Sequence, residues 1–83
     1  MIEDIVSTIK ELLRDLNILN IPIEEIDIDQ EMVIYGVNSI GFISLVVKLE
    51  AIYGIEFDDE NLSINTLSTI NKIGEYIKKK SSS

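Results

Sequence analysis

The first sixteen residues combine apolar and polar positions with the period of an α-helix. Apolar side chains recur at spacings of three and four residues, and charged side chains occupy most positions between them. The apolar positions are Ile2, Ile5, Val6, Ile9, Leu12, Leu13 and Leu16. Asn17, Asn20 and Pro22 then interrupt the pattern. We predict a helix over residues 2–16 that buries one apolar face.

Residues 17–38 show no sustained period. Within them, "IPIEEIDIDQEM" alternates apolar and acidic residues as a β-strand would, but no second segment has a strand pattern that could pair with it. We therefore predict a long ordered loop that apolar side chains pin to the core. These side chains are Ile21, Ile23, Ile26, Ile28 and Met32. Loops of this length are uncommon and tend to be functional.

Two further helices and one short helical turn complete the pattern. The second helix is predicted over residues 39–53, with Asn38 as its N-cap and Gly54 as its C-cap. Asp58 or Asp59 is suited to cap a short helical turn that ends near residue 62.

The last helix is predicted to begin around Asn65–Thr66. Its apolar stripe is Leu67, Ile70, Ile73 and Ile77. Lysines near its end suit the helix dipole, and residues 78–83 are expected to form a frayed tail. The chain is thus predicted to be one all-α domain over residues 1–83, a small four-helix bundle of three main helices and one short helix with a long first loop.

The amino-acid composition excludes several classes of catalytic site and disfavours some partners. The chain has no cysteine and no histidine, which excludes disulfides, thiol catalysis and a Ser-His-Asp triad. The net charge is −8, divided into −11 on residues 1–62 and +3 on residues 63–83. An acidic body disfavours nucleic acid and favours partners with basic surfaces. There is no signal peptide or apolar run long enough for a membrane span, so we expect a cytoplasmic protein that does not contact membranes.

An acidic stretch in the long loop resembles the start of a calcium-binding loop. Asp27, Asp29 and Glu31 have the spacing of the first three EF-hand ligands. However, Met32 stands where the turn glycine belongs, and Asn38 stands where the bidentate Glu belongs. A solvated acidic loop is the better interpretation, and no metal site is predicted.

The second helix is apolar over more of its surface than one packed face requires. Its core stripe is Phe42, Leu45, Val46, Leu49 and Tyr53, which leaves Ile40, Ile43, Val47 and Ala51 outside it. These residues are either buried by neighbours on most sides or kept exposed for docking, and we favour docking. Ser39 lies at the start of this helix. It is either a plain capping residue or the site of a phosphate ester, which the positive end of the helix dipole would stabilise.

The segment "YGVNSIGFISLVVKLEAIYGIEFDDENL" resembles the acyl and peptidyl carrier proteins. The residues at the start of the second helix and the later "GIEF" segment with its acidic residues both match the signature of these proteins. The matching positions are Gly36, Val37, Asn38, Ser39, Ile40, Leu45, Val46, Leu49, Tyr53, Gly54, Ile55, Phe57 and Asp59. The resemblance implies a carrier rather than an enzyme, with a 4′-phosphopantetheine arm on Ser39 that a phosphopantetheinyl transferase installs from coenzyme A. The arm's thiol would hold acyl or aminoacyl groups as thioesters.

Two departures from the family pattern concern the pathway. Asn38 replaces the usual Asp before the serine, and Gly41 and Ser44 replace acidic residues that fatty-acid carriers have. This points away from fatty-acid synthesis and towards a carrier of nonribosomal-peptide, polyketide or related thiotemplate biosynthesis. We expect the carrier to be freestanding and monomeric. A fatty-acid or D-alanyl carrier and, from another class, an unmodified helical adaptor are the alternatives. The predicted partners are a loading ligase or acyltransferase and downstream synthase or condensing enzymes. The predicted recognition face is Asn38, Ile40, Gly41, Ser44, Val47, Lys48 and Ala51.

Overall fold

Three α-helices form the framework of the computed structural model, which describes residues 2–58 and 62–82. Helix α1 spans Ile2–Leu16, α2 spans Ser39–Tyr53 and α3 spans Ile70–Ser82. Within the described residues there is no strand beyond one isolated antiparallel bridge between Glu31 and Thr69. The prediction of an all-α, carrier-like bundle with a long first loop is confirmed.

Helix α1 packs against both other helices, and the apolar stripes meet between them. Its buried hydrophobic side chains come from the predicted face, as do those of α2 and α3. The buried apolar residues are Ile5, Ile9, Leu13, Ile26, Met32, Val37, Phe42, Leu45, Val46, Leu49, Phe57, Leu67, Ile70, Ile73 and Ile77. Burial of this apolar surface is the main force that holds the three helices together.

The long loop follows the core as predicted. Ile26 and Met32 are buried, and the other three predicted anchors pack against the core while partly exposed. Two 3₁₀ turns, Ile23–Glu25 and Met32–Tyr35, order the loop. Backbone hydrogen bonds also tie it to the start of α3, since the Met32 N–H donates to the Ser68 carbonyl at 2.8 Å. The loop is therefore an ordered part of the fold.

Helix α2 has the predicted bounds and caps. Asn38 has extended backbone angles, and its side chain accepts a hydrogen bond from the Gly41 N–H. At the other end Gly54 adopts the left-handed conformation, with φ of 64°, and its N–H donates to the Glu50 carbonyl at 2.9 Å. These local signals explain why the boundaries of α2 could be read from the sequence.

The predicted start of the last helix was wrong. Helix α3 begins at Ile70, four to five residues later than Asn65–Thr66. Residues 63–67 instead form a separate turn in which the Leu67 N–H donates to the Ser63 carbonyl at 2.9 Å. The true N-cap is Thr69, whose hydroxyl accepts from the Lys72 N–H at 3.0 Å. The apolar stripe itself was correctly assigned, because all four of its members are buried.

Two other predictions concern chain segments near the C-terminus. Helix α3 continues to Ser82, so residues 78–82 are helical although a frayed tail was expected. The short helical turn predicted after Asp58 falls largely on residues 59–61, which lie outside the described residues. In the described part of the chain, none of the helices combines the length and the apolar character that crossing a membrane would need.

Candidate functional site

Ser39 is the first residue of α2, and its side chain is exposed. The preceding residue caps the helix, since Asn38 Oδ1 accepts from the Gly41 N–H at 2.8 Å and the Asn38 carbonyl accepts from the Phe42 N–H at 2.8 Å. Among the described residues, none makes a hydrogen bond with the Ser39 hydroxyl. The hydroxyl is therefore accessible and is not used as the helix cap.

A sharp turn before Ser39 sets where the helix begins. Gly36 has a φ of 98°, in the left-handed region, and closes the second 3₁₀ turn through its N–H to the Val33 carbonyl at 3.2 Å. A Cβ at this position would lie 2.9 Å from the Ile18 carbonyl oxygen, so backbone conformation and space both require glycine. Val37 is then buried, which anchors the chain two residues before the serine.

The electrostatics at Ser39 suit a phosphate group. The first turn of α2 carries no acidic residue. The N–H groups of Ser39 and Ile40 have no partner among the described residues, as expected at a helix N-terminus. A phosphate ester on the hydroxyl would face the positive end of the helix dipole, a contribution of about 0.3–1 kcal/mol. The residues present thus fit a phosphate-linked group at this position.

The surplus apolar residues of α2 lie on its exposed side. Ile40 is 78% exposed, Val47 56% and Ile43 41%, and Ala51 and Lys48 are exposed as well. These five residues, with the half-buried Ser44 between them, are called the exposed α2 face below. The other side of the helix provides the buried core stripe. The sequence left two interpretations of these residues open, burial by neighbouring elements or exposure for docking. Their exposure excludes burial by neighbouring elements.

Gly41 was predicted to be part of the recognition face, but it does not lie on the surface. It is buried, and a Cβ built on it would lie 2.8 Å from Cδ1 of Ile18. The resemblance suggested exposure because fatty-acid carriers typically have an acidic residue at this position. In the structure Gly41 allows the segment after α1 to approach α2. Asn38 is exposed, but its side-chain oxygen is occupied by the cap.

The only carboxylate of α2 takes part in a hydrogen bond within the protein. Glu50 is half-buried, and its Oε2 accepts a hydrogen bond from the Phe57 N–H at 2.8 Å. Lys48, by contrast, is exposed and is the charged member of the exposed α2 face. This contact was missed at the sequence level because it joins a helix residue to a loop residue beyond the C-cap, where no periodic pattern applies.

The segment after α2 is also attached to α3. The Phe57 ring stacks on Tyr76 with centroids 4.8 Å apart. The Tyr76 hydroxyl accepts from the Asp58 N–H at 2.9 Å and donates to the Asp58 carboxylate at 3.0 Å, and Lys80 Nζ lies 3.3 Å from the other carboxylate oxygen. The hydrogen bond from Tyr76, assisted by Lys80, lowers the pKa of Asp58 below its ordinary value.

Acidic side chains of the long loop accept hydrogen bonds from the loop itself and from α3. Asp27 Oδ1 accepts from the Asp29 N–H at 2.9 Å, and Asp29 Oδ1 accepts from Asn71 Nδ2 at 3.0 Å. Within the described residues, no group of three or more acidic side chains is gathered as metal ligands would be. The roles observed for these carboxylates are structural.

Comparison with known proteins places the chain in a family. The model of the family described as "phosphopantetheine attachment site" matches residues 7–77, which include Ser39 and all of α2. No curated protein and no solved structure gave a significant match. Members of this family carry 4′-phosphopantetheine covalently on a serine and generally act as carriers without catalytic activity. The match covers most of the chain and agrees with its all-helical fold, and the protein therefore belongs to the phosphopantetheine attachment site family.

Proposed function

We propose that Ser39 bears the 4′-phosphopantetheine arm and that the protein carries acyl or aminoacyl groups on it as thioesters. The observation that carries this proposal is the exposed Ser39 hydroxyl at the start of α2, inside the region that matches the family. A chain without cysteine has no thiol of its own, and the arm supplies one.

Other serines in the matched region fit less well. Ser7 is exposed but lies within α1, where backbone N–H groups are bonded along the helix. Ser44 is half-buried in the middle of α2. The hydroxyls of Ser63 and Ser68 accept hydrogen bonds from Asn65 and Lys72 respectively. Ser39 combines an accessible hydroxyl with free backbone N–H groups that favour a phosphate.

The partners we propose follow from the role. Carrier domains of this family work with a phosphopantetheinyl transferase and with synthetic enzymes. Here these would be a loading ligase or acyltransferase and a downstream synthase or condensing enzyme, all in the cytoplasm. Successive docking on several enzymes requires a small, transient interface. The exposed α2 face lies on the same helix as Ser39 and has the apolar character that such an interface needs.

The pathway we propose is nonribosomal-peptide, polyketide or related thiotemplate biosynthesis. The first turn of α2 has no acidic residue, and the half-buried Glu50 accepts a hydrogen bond from the Phe57 N–H. An enzyme that recognises an acidic helix through a basic patch would find no acidic residue in the first turn of α2 and one hydrogen-bonded carboxylate near its end. Fatty-acid synthesis is therefore less well supported than the proposed pathway, and D-alanyl transfer is the other alternative within the family. Loading of the modified protein by enzymes of fatty-acid synthesis at higher kcat/KM than by adenylating enzymes or acyltransferases of thiotemplate biosynthesis would contradict this choice.

Intact-mass spectrometry tests the attachment site. We expect one phosphopantetheine to be added when the protein is incubated with coenzyme A, Mg²⁺ and a phosphopantetheinyl transferase of broad specificity. The Ser39→Ala variant should gain no mass. Ser7→Ala is the matched control, since it also removes an exposed helical hydroxyl, and it should be modified as the wild type is. Absence of a mass gain with several transferases would contradict the proposal and favour an unmodified helical adaptor, whereas a gain retained in Ser39→Ala would move the site to another serine.

A further inference from the structure

The chain immediately after α1 contacts the turn that precedes Ser39. The backbone N–H of Asn20 donates to the Tyr35 carbonyl at 2.8 Å. Its side-chain Nδ2 donates to the Ile34 carbonyl at 3.1 Å. Both carbonyls belong to the second 3₁₀ turn, Met32–Tyr35, so Asn20 holds that turn through its main chain and its side chain together.

Ile18 in the same segment meets glycines on both sides of Ser39. Its carbonyl oxygen lies against Gly36, where a Cβ would be 2.9 Å away. Its Cδ1 lies against Gly41, where a Cβ would be 2.8 Å away. Asn17, which has a positive φ of 55°, ends α1 and turns the chain toward this position. Residues 18–20, called the brace below, therefore contact the chain before and after the serine.

The position of Ser39 depends on contacts made by its neighbours. The serine is exposed, and no described residue bonds to its hydroxyl. Val37 is buried and fixes the chain on the core side. On the loop side, the brace holds the turn that leads into α2. Because a displacement of about 1 Å at a reacting atom can lower a rate about a hundredfold, contacts that hold this turn bear on how well the hydroxyl is presented.

We infer that Asn20 is a positioning residue for the modification of Ser39, an inference that rests on the proposed function. Its side-chain amide holds the Ile34 carbonyl and with it the 3₁₀ turn. It acts through Tyr35 and Gly36 and does not touch the serine. The backbone bond to Tyr35 survives any substitution that keeps the fold, so the contribution of the side chain can be separated from that of the main chain.

Two substitutions remove the donor in different ways. Asn20→Ala deletes the amide, and Asn20→Asp keeps its shape while placing a carboxylate oxygen near the Ile34 carbonyl. Asn71→Ala is the matched control. Asn71 also ties the long loop with an exposed side-chain hydrogen bond, from its Nδ2 to Asp29 at 3.0 Å, but at a part of the loop outside the second 3₁₀ turn.

Steady-state kinetics of phosphopantetheine transfer test the inference. We expect kcat to fall about fivefold or more in Asn20→Ala and Asn20→Asp, with KM for the carrier within about twofold of the wild-type value, because the exposed α2 face is unchanged. Asn71→Ala should keep the wild-type kcat. A purely structural role would leave kcat unchanged as long as the variants are folded, and circular dichroism verifies their folding.

Amide hydrogen exchange provides a readout that does not depend on the transferase. In both Asn20 variants the Gly36 and Gly41 amides should exchange about tenfold faster, since each is bonded within the braced region. If exchange and kcat stay at wild-type values while wild-type Ser39 is modified, the inference is overturned and the proposed function stands. If wild-type Ser39 is not modified at all, the proposed function fails and this inference fails with it.

Discussion

Asn38 Oδ1 accepts a hydrogen bond from the backbone N–H of Gly41 at 2.8 Å. The residue before Ser39 thus takes the capping role that the serine itself was a candidate for. This division leaves the serine hydroxyl free while the helix keeps a satisfied N-terminus. The neighbouring N–H groups remain available to a phosphate on the hydroxyl.

Replacing Asn38 by alanine should destabilise the protein by about 0.5–2 kcal/mol, because it removes an N-cap. Asn38→Asp keeps an oxygen at the same place and adds a negative charge at the helix N-terminus, so its stability should be close to wild type. Urea denaturation followed by circular dichroism measures both. Equal stability of Asn38→Ala and wild type would mean that the cap observed here does not stabilise α2.

Gly36 and Gly54 both have positive φ, and they provide a matched pair. Gly54 has φ of 64° with no heavy atom within 4 Å of a Cβ built on it, so Gly54→Ala should cost about 1 kcal/mol, from the left-handed conformation alone. Gly36→Ala should cost clearly more, since its Cβ would also lie 2.9 Å from a backbone oxygen. Denaturant unfolding of the two variants gives the comparison. The opposite ranking would show that the turn before Ser39 relaxes easily.

The parts of the fold that were predicted correctly depend on local signals. Helices α1 and α2 follow from apolar periodicity and from cap residues next to them. The start of α3 could not be found this way, because Leu67 continues the apolar stripe. Tertiary contacts keep the helix from beginning before Ile70, since the Ser68 carbonyl accepts a hydrogen bond from the Met32 N–H and residue 69 forms the bridge to Glu31.

The candidate site was predictable to a similar extent. Ser39 and the exposed α2 face could be proposed from a local motif and an excess of apolar residues. The burial of Gly41 and the contacts of Asn20 could not, because each depends on chain segments that are distant in sequence. The presence of a glycine near the start of a helix does not by itself indicate whether the position contacts a partner protein or packs against another segment of the same chain.

The Asp58–Tyr76 contact should make stability depend on pH at the acidic end. The hydrogen bond from Tyr76 and the charge of Lys80 lower the pKa of Asp58 below its ordinary value of 3.8. Its contribution is therefore fully present above pH 3.8 and is lost as pH falls through the lower, native pKa. Lys80, whose pKa the hydrogen bond to Asp58 raises above 10.5, contributes below pH 10.5 and loses its contribution as pH rises further.

Chemical denaturation across pH tests this linkage with Asp58→Asn. The difference in unfolding free energy between wild type and Asp58→Asn should be constant between about pH 5 and pH 9 and should shrink below pH 3.8. Tyr76→Phe is the control, because it removes the hydroxyl while keeping the ring on Phe57. In that background the acid dependence should be weaker. A difference that stays constant down to the lowest pH would show that Asp58 is not held in this contact.

Charge reversal at Lys48 tests where the loading enzyme docks. Lys48 is the cation on the exposed α2 face, so Lys48→Glu should change kcat/KM for loading about 3- to 10-fold, which corresponds to about 0.7–1.4 kcal/mol. Glu11→Lys makes the opposite change at an exposed position of α1 and should have a smaller effect. Lys10→Glu, also on α1, gives the same net charge as Lys48→Glu and controls for the charge of the whole molecule. A larger effect at either α1 position would place the interface on α1 and remove the exposed α2 face from the proposed function.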